Sequence, residues 1–159
     1  MIAEAPYLFS VAGLSVSLAG FAALVAAFRQ GAGPRPIDIF RLRQIAEFGF
    51  ANAILSLLPI PLAASAGDPA TAFRLASGAV LVYVLVYMLV LLRAGRGLGL
   101  PYRTDPLPLV IALNVGIVSA AAFGAATSAT AAFEWALLLL LVRPMLAFVL
   151  VLVERGSGR

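Results

Sequence analysis

Residues 36–61, PIDIFRLRQIAEFGFANAILSLLPIP, decide what kind of protein this is. The stretch opens as a charged helix start with Asp38, Arg41, Arg43, Gln44 and Glu47, turns apolar from Phe48 onward, and still carries Asn52 inside the apolar part. Asp38 suits the cap or first turn of a helix, where the positive end of the helix dipole stabilises an anion. On a helix, Arg41, Ile45, Phe48, Asn52 and Ser56 share one face, and Arg43, Glu47, Ala51 and Ile54 share another about 140° away. Pro59 and Pro61 break or kink the far end, so the helix is expected to finish near Leu62. This is the pattern of a chain entering a lipid bilayer.

Composition extends that reading to the whole chain. Hydrophobic residues make up 63% of it and charged residues 11%, with a mean hydropathy of +1.06. Soluble domains have roughly 45–50% apolar and about 25% charged residues. A spanning helix needs about 20 mostly apolar residues, and five segments qualify, expected at 7–28, 38–62, 72–92, 107–126 and 132–153 of the 159 residues. The expected fold is an all-α transmembrane bundle of five spanning helices in a single integral membrane domain.

The first span follows Glu4 and Pro6, both favourable at a helix N-terminus. Glu4 has the wrong sign for the positive start of a secretory signal, so a retained helix is expected. Small residues Ser10, Gly13, Ser17 and Gly20 form one stripe on it. In the fourth span Gly116, Ala120, Gly124 and Ser128 form a second, with Asn114 pointing roughly the opposite way. Stripes of this kind let helix backbones approach closely in lipid, and both are expected to lie against neighbouring helices.

All eleven positive charges are arginine, and five spans sort them by side. Arg29, Arg35, Arg41, Arg43, Arg93, Arg96, Arg103, Arg155 and Arg159 fall on one side and Arg74 on the other, with Arg143 left inside the bilayer. The excess of positive charge marks the cytoplasmic side, which places the N-terminus outside and the C-terminus in the cytoplasm. Arg29, Arg35, Arg41, Arg43, Arg93, Arg96 and Arg103 are then expected to set topology and to touch lipid headgroups. A four-span alternative would have to discard the last segment, because the apolar pieces on either side of Arg143 are each too short to cross alone. Insertion of that segment is feasible. A central arginine costs about 2.5–3.5 kcal/mol and each central leucine, valine or phenylalanine contributes about 0.3–0.6 in return.

An intramembrane arginine needs a partner. Glu47, Asn52, Asn114 and Arg143 fall at comparable depth in the cytoplasmic half, and the expected cluster is a Glu47–Arg143 ion pair supported by the two asparagines. Pro144 frees the carbonyl of Leu140 and should kink the helix at that depth. The cluster either fixes helix register or lines a site open to water. Tyr83 and Tyr87, one turn apart, are expected to pack and hydrogen-bond between helices. Trp135 is expected to anchor at the outer interface beside a solvated Glu134.

Catalytic chemistry has little to work with. The chain has no cysteine and no histidine, which removes thiol chemistry and the commonest metal ligand and general base. No metal site or cofactor is expected. The 93–108 connector, RAGRGLGLPYRTDPLP, carries Gly95, Gly97 and Gly99 but follows a helix and lacks the lysine of a phosphate-binding loop. Nucleic acid is not an expected partner, since no basic face with interleaved aromatics exists.

The order of a small-residue first helix, the connector FRQGAGPRPIDIFRLRQIAEF and the helix end LSLLPIP resembles small uncharacterised bacterial polytopic inner-membrane proteins. The resemblance covers roughly the first 60 residues, rests on Pro36, Asp38, Arg41, Arg43, Glu47 and Pro59, and implies no particular activity. The favoured expectation is a scaffold or accessory subunit that associates through small-residue helix faces, with membrane lipids and a membrane-protein partner or a second copy as its contacts. The alternative is a small transporter or channel with its polar layer at Glu47, Asn52, Asn114 and Arg143. No internal repeat supports that alternative, and an enzyme is the least favoured class.

Overall fold

The computed structural model describes residues 2–29, 36–98 and 107–156. Among the described residues the fold is all-α, with six helices: α1 (Ala5–Arg29), α2 (Pro36–Leu57), α3 (Pro59–Ala66), α4 (Pro69–Leu98), α5 (Leu107–Thr127) and α6 (Thr130–Gly156). Five segments are long and apolar enough to cross a membrane: Ala5–Phe28, Ile39–Ala66, Pro69–Val90, Pro108–Thr127 and Thr130–Val149. The chain is therefore a multi-pass membrane protein.

The second span is built from two helices. Pro59 has no N–H to give the Leu55 carbonyl, and Leu58 N–H takes that acceptor instead at 3.3 Å. Leu58 keeps right-handed helical angles (φ −58°, ψ −37°), so the chain carries on as α3. The span runs past the expected end at Leu62 to Ala66, where Gly67 stops it. Gly67 sits at φ +69°, a left-handed position that suits glycine, and its N–H reaches the Ala63 carbonyl at 3.0 Å.

Asp68 then starts α4. Its carboxylate accepts from the Thr71 hydroxyl at 2.7 Å and from the backbone N–H groups of Thr71 and Ala70 at 2.9 and 3.1 Å. These bonds, the Thr71 hydroxyl first, hold the Asp68 carboxyl below its ordinary range. A depressed folded-state value means the stabilisation is present above the ordinary carboxylate pKa and is lost as pH falls through the depressed one. Asp68→Asn keeps an acceptor but does not titrate. In detergent melts the wild type is expected to exceed this variant at neutral pH, with the gap closing in acid; a gap independent of pH would show that the charge contributes nothing.

Two further boundaries differ from expectation. Residues 93–98, expected as part of a turn-rich connector, continue α4 to Leu98. The last helix, expected to end at residue 153, continues to Gly156. Alanine and leucine flank the glycines of α4 closely enough for helix propensity to carry it on.

α2 and α6 form the centre. α1 lies on α2, α2 on α6, α6 on α5 and α5 on α4, while α4 returns to touch α6 and α3 packs on α4. The α2–α3 span has 44% of its apolar window buried inside the protein, against 22% for α5 at the periphery. Large apolar side chains cover the outside, including Phe9, Phe28, Ile54 and Val82, with Phe28 79% exposed. A water-soluble protein could not carry such a surface, but acyl chains solvate it.

In lipid the helices gain little from the hydrophobic effect and hold together by close packing. α1 and α2 meet most tightly at Gly49. A Cβ there would stand 2.7 Å from the Ser15 carbonyl oxygen and 2.9 Å from the Ala19 Cβ. The face α1 turns to α2 is Val11, Ala12, Ser15, Ala19 and Ala22, all buried.

The two small-residue stripes have opposite fates. Gly116 faces Leu139 of α6, and a Cβ on Gly124 would stand 2.6 Å from Ser77 Oγ of α4. Gly116 and Gly124 of the fourth-span stripe thus pack against neighbouring helices. On α1, Ser10, Gly13, Ser17 and Gly20 are exposed, and nothing lies within 4 Å of where a Cβ would sit on Gly13 or Gly20. The expectation that this stripe packs on a neighbouring helix fails within the chain. Ala12, Ser15, Ala19 and Ala22 repeat the same three-four-three spacing about 160° around the helix, and that stripe is the one used, because Gly49 on α2 already supplies the close approach.

Candidate functional site

The buried face of α2 is the one set out by the sequence: Arg41, Ile45, Phe48, Asn52 and Ser56 are all enclosed. Four helices converge at the level of Phe48. Arg143 of α6 donates through Nη1 to Asn114 Oδ1 of α5. Asn114 is aimed by its own Nδ2, which donates to the Val110 carbonyl one turn back at 2.9 Å. The guanidinium carbon of Arg143 lies 4.4 Å from the Phe48 ring centroid and 5.5 Å from that of Tyr87.

The aromatic wall is braced in turn. Phe48 meets Tyr87 edge-on with centroids 4.5 Å apart and Tyr83 at 6.1 Å. Gln44 of α2 donates to the Tyr87 hydroxyl at 3.0 Å. Both tyrosines thus pack between helices as expected, and Tyr87 hydrogen-bonds across them. Desolvated cation–π contacts contribute about 2 kcal/mol or more. They let a guanidinium sit among apolar helices with ring faces and a neutral amide around it.

The expected four-residue cluster divides. Asn114 and Arg143 come together. Glu47 is drawn to its own helix, where Arg43 Nε stands 2.7 Å from its Oε1 on the outer side of α2, so each end of the expected Glu47–Arg143 pair is engaged elsewhere.

Asn52 forms a second node about one turn deeper. Its Nδ2 donates to Ser15 Oγ of α1 at 3.0 Å and to the Leu137 carbonyl of α6 at 3.4 Å, while the Ser15 hydroxyl donates to the Val11 carbonyl at 2.7 Å. Ser15, Phe48 and Gln44 therefore belong to these polar layers, a part that hydropathy and charge do not assign to them. The available signal was Phe48 sharing a face with Asn52.

The boundary arginines are not alike. Arg43 and Arg93 are exposed, in keeping with a headgroup position. Arg41 was expected there too, but it is 1% exposed and is enclosed by protein on the inward face of α2. Arg29 and Arg96 lie on helices, with their side chains outside the described residues, and Arg35 and Arg103 fall wholly outside them.

At the other end of the bundle Trp135 is 62% exposed at the start of α6, the position expected of an interfacial anchor. The Tyr7 hydroxyl donates to the Glu134 backbone carbonyl at 3.3 Å, tying the first turn of α1 to α6. Among the described residues no three acidic side chains gather as a metal site would require.

Chemically, the arrangement sets the Arg143 guanidinium against two aromatic rings and an amide oxygen and cross-links α2, α4, α5 and α6 around it. No protein-family model, curated protein or solved structure matches this chain.

Proposed function

We propose that this protein is a scaffold or accessory subunit of a bacterial inner membrane, with its N-terminus outside and its C-terminus cytoplasmic, that binds another transmembrane helix along the outward face of α1. The observation that carries this reading is the exposed stripe of Ser10, Gly13, Ser17 and Gly20. Its two glycines have open space before them. Its two hydroxyls donate back to carbonyls of their own helix, Ser10 to Pro6 and Ser17 to Gly13, each at 2.8 Å. The face is smooth, and its polar groups are satisfied. In lipid a face of that kind favours close helix contact through van der Waals packing.

The absence of native cysteine makes the test clean. Single cysteines at Gly13, Ser17 or Gly20 are expected to cross-link to a partner chain in native membranes, and cysteine at Val82, which faces lipid, is not. Gly13→Leu is expected to abolish copurification of that partner while leaving the melting temperature of the isolated protein unchanged. Adducts absent from all three positions, or equally strong at Val82, would refute association through α1. Solute uptake into vesicles that disappears with Arg143→Met would favour the transporter reading instead.

A further inference from the structure

Asn52 is wholly buried, and among the described residues its Oδ1 has no hydrogen-bond partner. Turning the amide over does not help. It would set Oδ1 against the Leu137 carbonyl, acceptor to acceptor, so the Nδ2 bond to Leu137 settles the orientation. Asn52 thus presents a bare carbonyl oxygen inside the α1–α2–α6 junction, and a buried acceptor left without a donor is costly.

Helix geometry sets a second acceptor on the same side of α6 as the Leu137 carbonyl. Pro144 lies inside that helix and has no N–H for the Leu140 carbonyl, its normal partner. Leu140 follows Leu137 by three residues, so its carbonyl points to the same side of α6 within about 60° and lies about 4.5 Å further along the axis. Two acceptors facing one junction call for a molecule with two donors. Leu140 and Asn52 are both fully enclosed, which leaves no route for a lipid or solute group.

We propose that a single buried water donates to Asn52 Oδ1 and to the Leu140 carbonyl, completing the node that joins α1 to α2 and α6. Asn52 Nδ2 holds the helices on one side of the amide and the water holds them on the other. This assignment is independent of what α1 binds.

The direct test is a structure of the protein in a lipid nanodisc at a resolution that shows ordered water. Density at hydrogen-bond distance from Asn52 Oδ1, about 2.7–3.0 Å, is the expected result. Oδ1 without density beside it, or met by a protein donor, overturns the proposal. Asn52→Leu and Ser15→Ala both remove the Nδ2–Ser15 bond, so the difference between them is the second readout. The melting temperature is expected to fall further in Asn52→Leu than in Ser15→Ala, and an equal or smaller fall overturns the proposal.

Discussion

Replacing Gly49 with alanine is expected to separate α1 from α2 and to lower the stability of the bundle by about 1–2 kcal/mol in detergent. The new Cβ would meet a backbone oxygen, Ser15 O at 2.7 Å, and the Ala19 Cβ at 2.9 Å. Neither is the far end of a flexible side chain, so the helices themselves must move apart. Overpacking of this kind costs about 1–3 kcal/mol. The about 1 kcal/mol that alanine gains over glycine as a helix former offsets only part of it.

The displacement also stretches the Asn52–Ser15 bond one turn away, which adds to the loss. Gly13→Ala and Gly20→Ala, on the outward face of the same α1, have open space and should melt no lower than wild type. Equal effects at Gly49 and Gly13 would mean that α1 does not pack as described.

Asn114→Leu is expected to cost about 1.5–3 kcal/mol, the range for a hydrogen bond to a charged group, because Arg143 stays in place while the amide oxygen that accepts from it is gone. Arg143→Met removes the charge along with the need for that acceptor, and methionine packs readily against Phe48 and Tyr87. Replacing a buried charge by an apolar group of similar volume is often close to neutral. The double variant should therefore lie near Arg143→Met alone, with a coupling of about 1.5–3 kcal/mol, the whole cost of Asn114→Leu. Additive single effects would show that the Asn114 bond contributes nothing to the fold.

Much of the architecture was legible from hydropathy. Apolar length defines a span, and each of the five appears where the run of apolar residues is long enough. Its ends shifted where backbone chemistry intervened, as at Gly67 and Asp68. The inward face of α2 was legible as well, since Arg41, Ile45, Phe48, Asn52 and Ser56 fall on one side by helical period alone.

What could not be read was which way each helix turns about its axis. α1 carries two stripes of small residues with identical spacing, and nothing within that helix says which one meets α2. The choice lies in Gly49, on the other helix. The same limit explains Arg143. Depth placed it level with Glu47, Asn52 and Asn114, but depth does not distinguish partners. Glu47 points about 100° around α2 from Phe48, within reach of Arg43 one turn earlier, whereas Asn114 faces α6. Arg41 shows the converse: a charge count assigns it to a water boundary, and the period of α2 turns it inward.

The transmembrane reading predicts that the two ends of the chain lie on opposite sides of the bilayer. With no native cysteine to interfere, single cysteines at Ala3 and Ser157 can be labelled in intact cells with a reagent that does not cross the membrane. Labelling at Ala3 from outside, and at Ser157 only after the cells are opened, is the expected result. Labelling of both from the same side would contradict five crossings and, with them, the placement of Arg143 and Asn114 inside the bundle.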